Sequence, residues 1–193
     1  MTGRPLAIRG ALLAAAAAVA LTSCGSVRGA FADDENAGPC PNAFALFDAA
    51  RVVEFRDPGV EDYANVMFTA EVQAVRSLCR YYRDRPIDAD LELEIGFGRG
   101  PAAPDDEHTY NLWVAVTRTD VAVLDRATIP IRVRFPRGQD RVYLRRDIEN
   151  IVIPRAEEST SGTNFEILVG FEVTPEQLEF NRLGKRFTIE AAR

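Results

Sequence analysis

Few side chains in this 193-residue chain are suited to chemistry: three cysteines (Cys24, Cys40, Cys79), one histidine (His108) and the run Arg80-Tyr81-Tyr82-Arg83-Asp84-Arg85. Cysteines form disulfides, carry lipid or act as nucleophiles. His108 follows Asp105-Asp106-Glu107, a combination that suggests acid–base or metal chemistry. One histidine beside consecutive carboxylates lacks the spaced ligands of zinc or calcium sites, however, so this stretch reads as a solvated acidic loop. No serine sits in a GxSxG elbow, and nothing marks any two of the 29 acids as a catalytic pair. Gly96-Phe97-Gly98-Arg99-Gly100 follows a strand pattern without opening a helix, so it reads as a kinked strand end and not a phosphate loop. The expectation is a protein that is not an enzyme, with no catalytic residue, no metal and no cofactor.

The cysteines point elsewhere. Arg4 and Arg9 precede an apolar run at residues 11–21, which ends in Leu21-Thr22-Ser23-Cys24. A charged start, a short apolar region and small residues before a cysteine read as a lipoprotein signal peptide with its lipobox, cleaved before Cys24. The apolar run is about 11 residues, short of the ~20 that a spanning helix needs. Residues 1–23 are then signal, and Cys24 is the lipidation site. Residues 24–39 form a polar, flexible tether with a reach of roughly 20 Å, and residues 40–193 form the folded domain. With Cys24 consumed by lipid, Cys40 and Cys79 remain as an even pair in a disulfide-permissive compartment, and a bridge between them is expected. The mature chain carries 21 basic and 29 acidic side chains, a formal charge of −8. That balance argues against nucleic acid as a partner.

The elements that must position these residues are mostly strands. Residues 49–55 read as a strand, residues 57–59 (Asp-Pro-Gly) as a turn, and residues 65–78 as a half-buried strand whose alternation breaks near 75–77. Residues 88–97 alternate with Leu91, Leu93, Ile95 and Phe97 inward, and residues 109–117 are apolar on both faces, as in a central strand. Residues 121–135 have apolar side chains at every second position except Asp125, and Pro130 requires either an edge position for this strand or a bulge there. A strand begins at 141–144, residues 147–150 read as a helical or irregular crossing, and residues 164–173 form a last long strand. Thr174-Pro175-Glu176-Gln177 is a capping box with proline at N1, opening a short helix that stops by Gly184. Residues 187–189 add a final short strand. Together these predict an all-β, immunoglobulin/fibronectin III-like β-sandwich of about 7–8 strands with a short C-terminal helix.

Arg80, Tyr81, Tyr82, Arg83 and Arg85 are residue types enriched in interface hot spots, which makes them a candidate partner-binding patch. Arg126, Arg132 and Arg134 share the outer parity of their strand, and cross-strand pairing with acids such as Glu92, Glu94, Glu166 and Glu172 accounts for them. The lipobox, Cys40-Pro41, Cys79 and the segment FEILVGFEVTPEQLEFNR at 165–182 together resemble a group of bacterial lipoproteins with a C-terminal β-sandwich domain. The resemblance implies location and fold, and no activity.

The resulting expectation is a lipoprotein anchored by the lipid on Cys24 and facing the periplasm. Gly25 in place of a retaining Asp favours the outer membrane. Its sandwich acts as a non-enzymatic adaptor or accessory subunit for another envelope protein or a wall component. The alternative is a binding module for a glycan, a peptidoglycan fragment or a lipid, marked by an open pocket at Trp113 or Tyr81/Tyr82. A carboxylate hydrolase ranks last.

Overall fold

The computed structural model describes residues 38–82, 85–119 and 121–187. The segments expected as signal and, for the most part, tether, the expected lipidation site Cys24, Arg83 and the chain beyond 187 lie outside the described residues. So does most of the short strand expected at 187–189.

Eight strands follow one another as β1 (Asn42–Ala45), β2 (Arg51–Phe55), β3 (Val66–Arg80), β4 (Ile87–Arg99), β5 (Glu107–Arg118), β6 (Ala122–Arg134), β7 (Arg141–Ile153) and β8 (Phe165–Phe171). The helix α1 (Pro175–Arg182) comes last. The strands form two four-stranded sheets, ordered β1-β8-β5-β6 and β2-β3-β4-β7. β1 runs parallel to β8, and every other pairing is antiparallel.

Alternation builds the core. Leu91, Leu93, Ile95 and Phe97 of β4 and Leu112, Val114 and Val116 of β5 are buried, together with Ile167 and Val169 of β8. One apolar cluster joins both sheets, with the Phe97 and Tyr110 rings 4.9 Å apart. Tyr110 also crosses between sheets by polar contact, donating its hydroxyl to the Thr69 carbonyl at 3.0 Å. Burial and the negative charge of Glu54 push its pKa well above the ordinary phenol range.

Four local expectations are corrected. Asn42–Ala45 is a strand, too short and too exposed for alternation to reveal it. The break in β3 comes earlier than 75–77, between Val72 and Ala74. The extra residue swaps the faces, so Val75, Ser77 and Cys79 take the inner parity and Ala74 does not. His108 lies in β5 and not in a loop. Finally, β7 runs unbroken through 147–150, because a register shift there and a positive φ of 61° at Asn150 absorb the irregularity without ending the strand.

The capping box forms as the sequence dictates. The Thr174 hydroxyl accepts from the Gln177 amide at 3.2 Å, and the Gln177 side chain accepts from the Thr174 amide at 2.9 Å. Gly184 closes the helix at a φ of 70°. α1 packs beside β2 and locks there by polar contacts. Asn181 donates to the carbonyls of Asp48 and Arg51 at 2.8 and 2.9 Å, and Gln177 donates to that of Val53 at 3.1 Å.

Candidate functional site

The cysteine pair is bridged: Cys40 and Cys79 form a disulfide with their Cα atoms 5.6 Å apart, closing a loop of sequence separation 39. It staples the chain entry to the end of β3. The neighbouring Arg/Tyr run is divided in its roles. Tyr81 is buried, donating its hydroxyl to the Pro39 carbonyl and accepting from the Gly162 amide at 2.8 Å. A side chain on Gly162 would put a Cβ 2.2 Å from that hydroxyl, so glycine is required by the close approach. Arg80 bonds Asp88 and Asp90 across the strand pair, at 3.3 and 2.8 Å. Tyr82 is half-buried, and Arg85 is exposed with its carbonyl accepting from Arg155 at 2.8 Å.

His108 is half-buried, with Nε2 3.1 Å from a Glu54 carboxylate oxygen and its ring stacked 4.3 Å from that of Phe68. Trp113 is half-buried in β5. It lies across Gly170, where a Cβ would come within 2.6 Å of the indole, and donates to the Phe171 carbonyl at 2.9 Å under the Arg126 guanidinium. The arginines of β6 do find acids. Arg132 pairs with Glu107, Arg134 approaches Asp106 at 4.0 Å, and Arg126 approaches Glu172 at 3.9 Å. Glu92 and Glu94 pair instead with Arg76 and Arg145 on the outer face of the other sheet.

Two surfaces stand out from this paired background. The first is the edge formed by β6 and β7, each hydrogen-bonded on one side only among the described residues. The rows that should seal the core thin out there. On β4, Leu91, Leu93 and Ile95 are at most 2% exposed, whereas Leu144 of β7, opposite Ile95, is 37% exposed. On β6, Ile131 and Val133 are buried, Ile129 is half-buried, and Ala127 and Asp125 are exposed. A register shift between Val116 and Thr117 takes Val123 off the inner row, so Val121 and Val123, expected inward, are 72% and 63% exposed. Two charged residues hold inner positions on these strands, Asp125 opposite Val116 and Arg146 opposite Leu93. The stretch 118–146 also has eight arginines against three aspartates, a formal +5 within an acidic chain.

The second surface is a small cleft of about 70 Å³ on the outer face of the β2-β3-β4-β7 sheet. Gly96 and Gly98 share the outward parity of β4 and form its floor. Gln73, Tyr143, Arg141, Glu71, Arg51 and Arg186 line it together, with Phe187 beside them. Arg51 is the unusual member. Its side chain is 7% exposed, its Nε and Nη2 have no hydrogen-bond partner, and Nη1 reaches Glu71 only at 4.0 Å. Glu71 is shared with Arg186 at 3.5 Å. Burial and the Arg186 charge lower the Arg51 pKa, with Glu71 acting against them; a guanidinium still keeps its proton. The sequence signal for this cleft was the glycine pair at i and i+2 in a strand, which reads equally as a kink. Arg51 carries no sequence signal at all. Comparison with known proteins finds no matching family model, no matching curated protein and no matching solved structure.

Proposed function

We propose that the protein is an envelope lipoprotein, anchored through lipid on Cys24 at the periplasmic face of the outer membrane. Its domain is an immunoglobulin/fibronectin III-like sandwich serving as a non-enzymatic adaptor. The sandwich reading rests on the interlocked pairings: β4 pairs with β7 in one sheet, while β5 pairs with β8 in the other. The docking surface is the β6–β7 edge, and its partner is an extended, acidic segment of another envelope protein, added as a strand to β6.

The observation that carries this reading is the incomplete burial of the inner row on a 13-residue edge strand. Pro130, Asp125 and flanking arginines are features that keep an edge from pairing with itself. They leave ladder positions and apolar side chains available to a partner that brings acidic groups. A photocrosslinker at Val123 or Thr128, used in intact cells, yields an adduct with an acidic envelope protein. The same crosslinker at exposed Tyr63, in the connection between β2 and β3, does not. Equal labelling from both positions, or none from β6, overturns the docking surface. Persistence of Cys24→Ala in the membrane fraction overturns the anchor.

A further inference from the structure

We propose that the glycine-floored cleft is an oxyanion site, taking one carboxylate- or phosphate-sized group of a ligand against Arg51, Arg141 and Arg186. This goes beyond the adaptor reading and involves a different face of the domain.

Three observations converge. The first is charge. The lining holds three arginines and one acid, Glu71, whose carboxylate stands 4.0 Å from Arg51 and 3.5 Å from Arg186. Neither approach is a hydrogen bond, so one carboxylate half-compensates two guanidinium groups. The second is the donor count. Arg51 is more than nine-tenths buried, lines the cleft, and leaves Nε and Nη2 without an acceptor. A guanidinium fork matches two oxygens of a carboxylate or phosphate, and Nε with Nη2 is one edge of that fork. The third is space. Gly96 keeps the floor low: a Cβ there would lie 2.9 Å from the Gln73 amide nitrogen and 3.2 Å from the Tyr143 ring. The cleft therefore admits a group the size of one oxyanion, with the Gln73 amide at its floor and Tyr143 at its side.

Arg186 supplies the route in. Its side chain lines the cleft beside Phe187 and is 60% exposed, so it can turn from Glu71 toward an arriving anion. Glu71 then pairs with whichever guanidinium the anion leaves. Chloride lacks the paired oxygens and gains little from the fork.

The experiment is calorimetric titration of the purified lipidated protein in neutral detergent with sodium phosphate, and separately with sodium acetate, chloride being adjusted to hold ionic strength constant. Saturable binding of at least one anion is expected, with a rise in melting temperature. Arg141→Ala and Arg186→Ala change exposed or cleft-lining side chains; each weakens binding by about tenfold. Gly96→Ala weakens it by filling the floor. Repeating the titration in micelles doped with phosphatidylglycerol separates the sources. Competition by the lipid identifies a headgroup as ligand, and unchanged affinity identifies a soluble oxyanion. Non-saturable heats for both anions overturn the proposal, as does saturable binding that all three variants leave unchanged.

Discussion

Each sheet ends twice, and the two pairs of ends are treated differently. At β1 and β2 the strands are four and five residues long, and nearly everything around them is fastened. The disulfide ties Cys40 to β3, the Tyr81 hydroxyl holds Pro39 and Gly162, and Asn181 and Gln177 of α1 bond the backbone of 48–53. At β6 and β7 the strands are each 13 residues long, no helix covers them among the described residues, and inner-row side chains reach solvent. Apart from the Arg51 guanidinium, the polar groups named on the closed side satisfy one another, whereas the open side carries the charge and proline that keep an edge from pairing with itself. The physical lesson is that a sandwich core does not need both edges sealed. The central strands β4 and β5 carry the burial, which leaves one edge for other uses.

That contrast is easiest to break on the closed side. Replacing both Cys40 and Cys79 with Ser removes a cross-link whose loop closure contributes about 4 kcal/mol in the chain-entropy model. Urea unfolding should show a loss of that size without loss of the fold. A loss well under 1 kcal/mol would mean that α1 and Tyr81 fasten this edge by themselves.

Within β6 the burial gradient makes its own prediction. Ile131 is 8% exposed and packs in the main cluster, so Ile131→Ala should cost about 2–4 kcal/mol. A cost below 1 kcal/mol would mean that the open edge extends further along the strand than its exposure indicates.

The sequence made the strands legible but not the difference between the edges. The alternation at 121–135 is as regular as that at 88–97, yet Ala127 on the inner row is exposed and Leu93 is fully buried. Periodicity reports which face a side chain takes; it does not report whether another sheet lies over that face. A register shift opposite Val116 then displaced the start of the row, and bulges leave no pattern of their own. Thr174–Gln177 was legible in full because capping is a local matter of four residues. The disulfide followed from cysteine parity. Tyr81 was legible only as an interface type, because its structural role depends on Pro39 and on Gly162, 81 residues away. The Arg51 cleft was hidden for the same reason: its members come from four strands and the tail after α1.

Tyr81 tests the closed edge one interaction at a time. Tyr81→Phe leaves the buried Gly162 amide without its acceptor and should cost about 1–3 kcal/mol. Tyr143→Phe, at a ring 61% exposed on the open side, should fall within about 0.5 kcal/mol of the parent. Equal losses would remove the distinction between the two edges.

Between the edges, Tyr110 makes stability depend on alkaline pH. Its folded pKa is raised, so the fold favours the neutral phenol, while the unfolded chain ionises above a pH of about 10. Its contribution is complete below that pH and is lost above it, at about 1.4 kcal/mol per unit. Phenolate absorbance should therefore show Tyr110 ionising only as the protein unfolds. Tyr110→Phe should flatten the alkaline slope. A slope that survives the substitution would place its origin elsewhere.

The smallest expected effect separates the two meanings of an exposed apolar residue. Val123→Ala removes apolar surface that is 63% exposed and packs in no core cluster, so stability should change by less than about 0.5 kcal/mol. If Val123 serves only to pack against its neighbours on the outer face, added apolar surface should help: Val123→Ile would then stabilise, and Val123→Lys would destabilise. If it belongs to a docking edge, both variants should unfold with the parent. Val123→Lys should then abolish the β6 crosslink obtained from Thr128 in intact cells. Unchanged folding with unchanged crosslinking would move the partner off this strand. Altered folding would mean that the edge is more closed than its solvent exposure indicates.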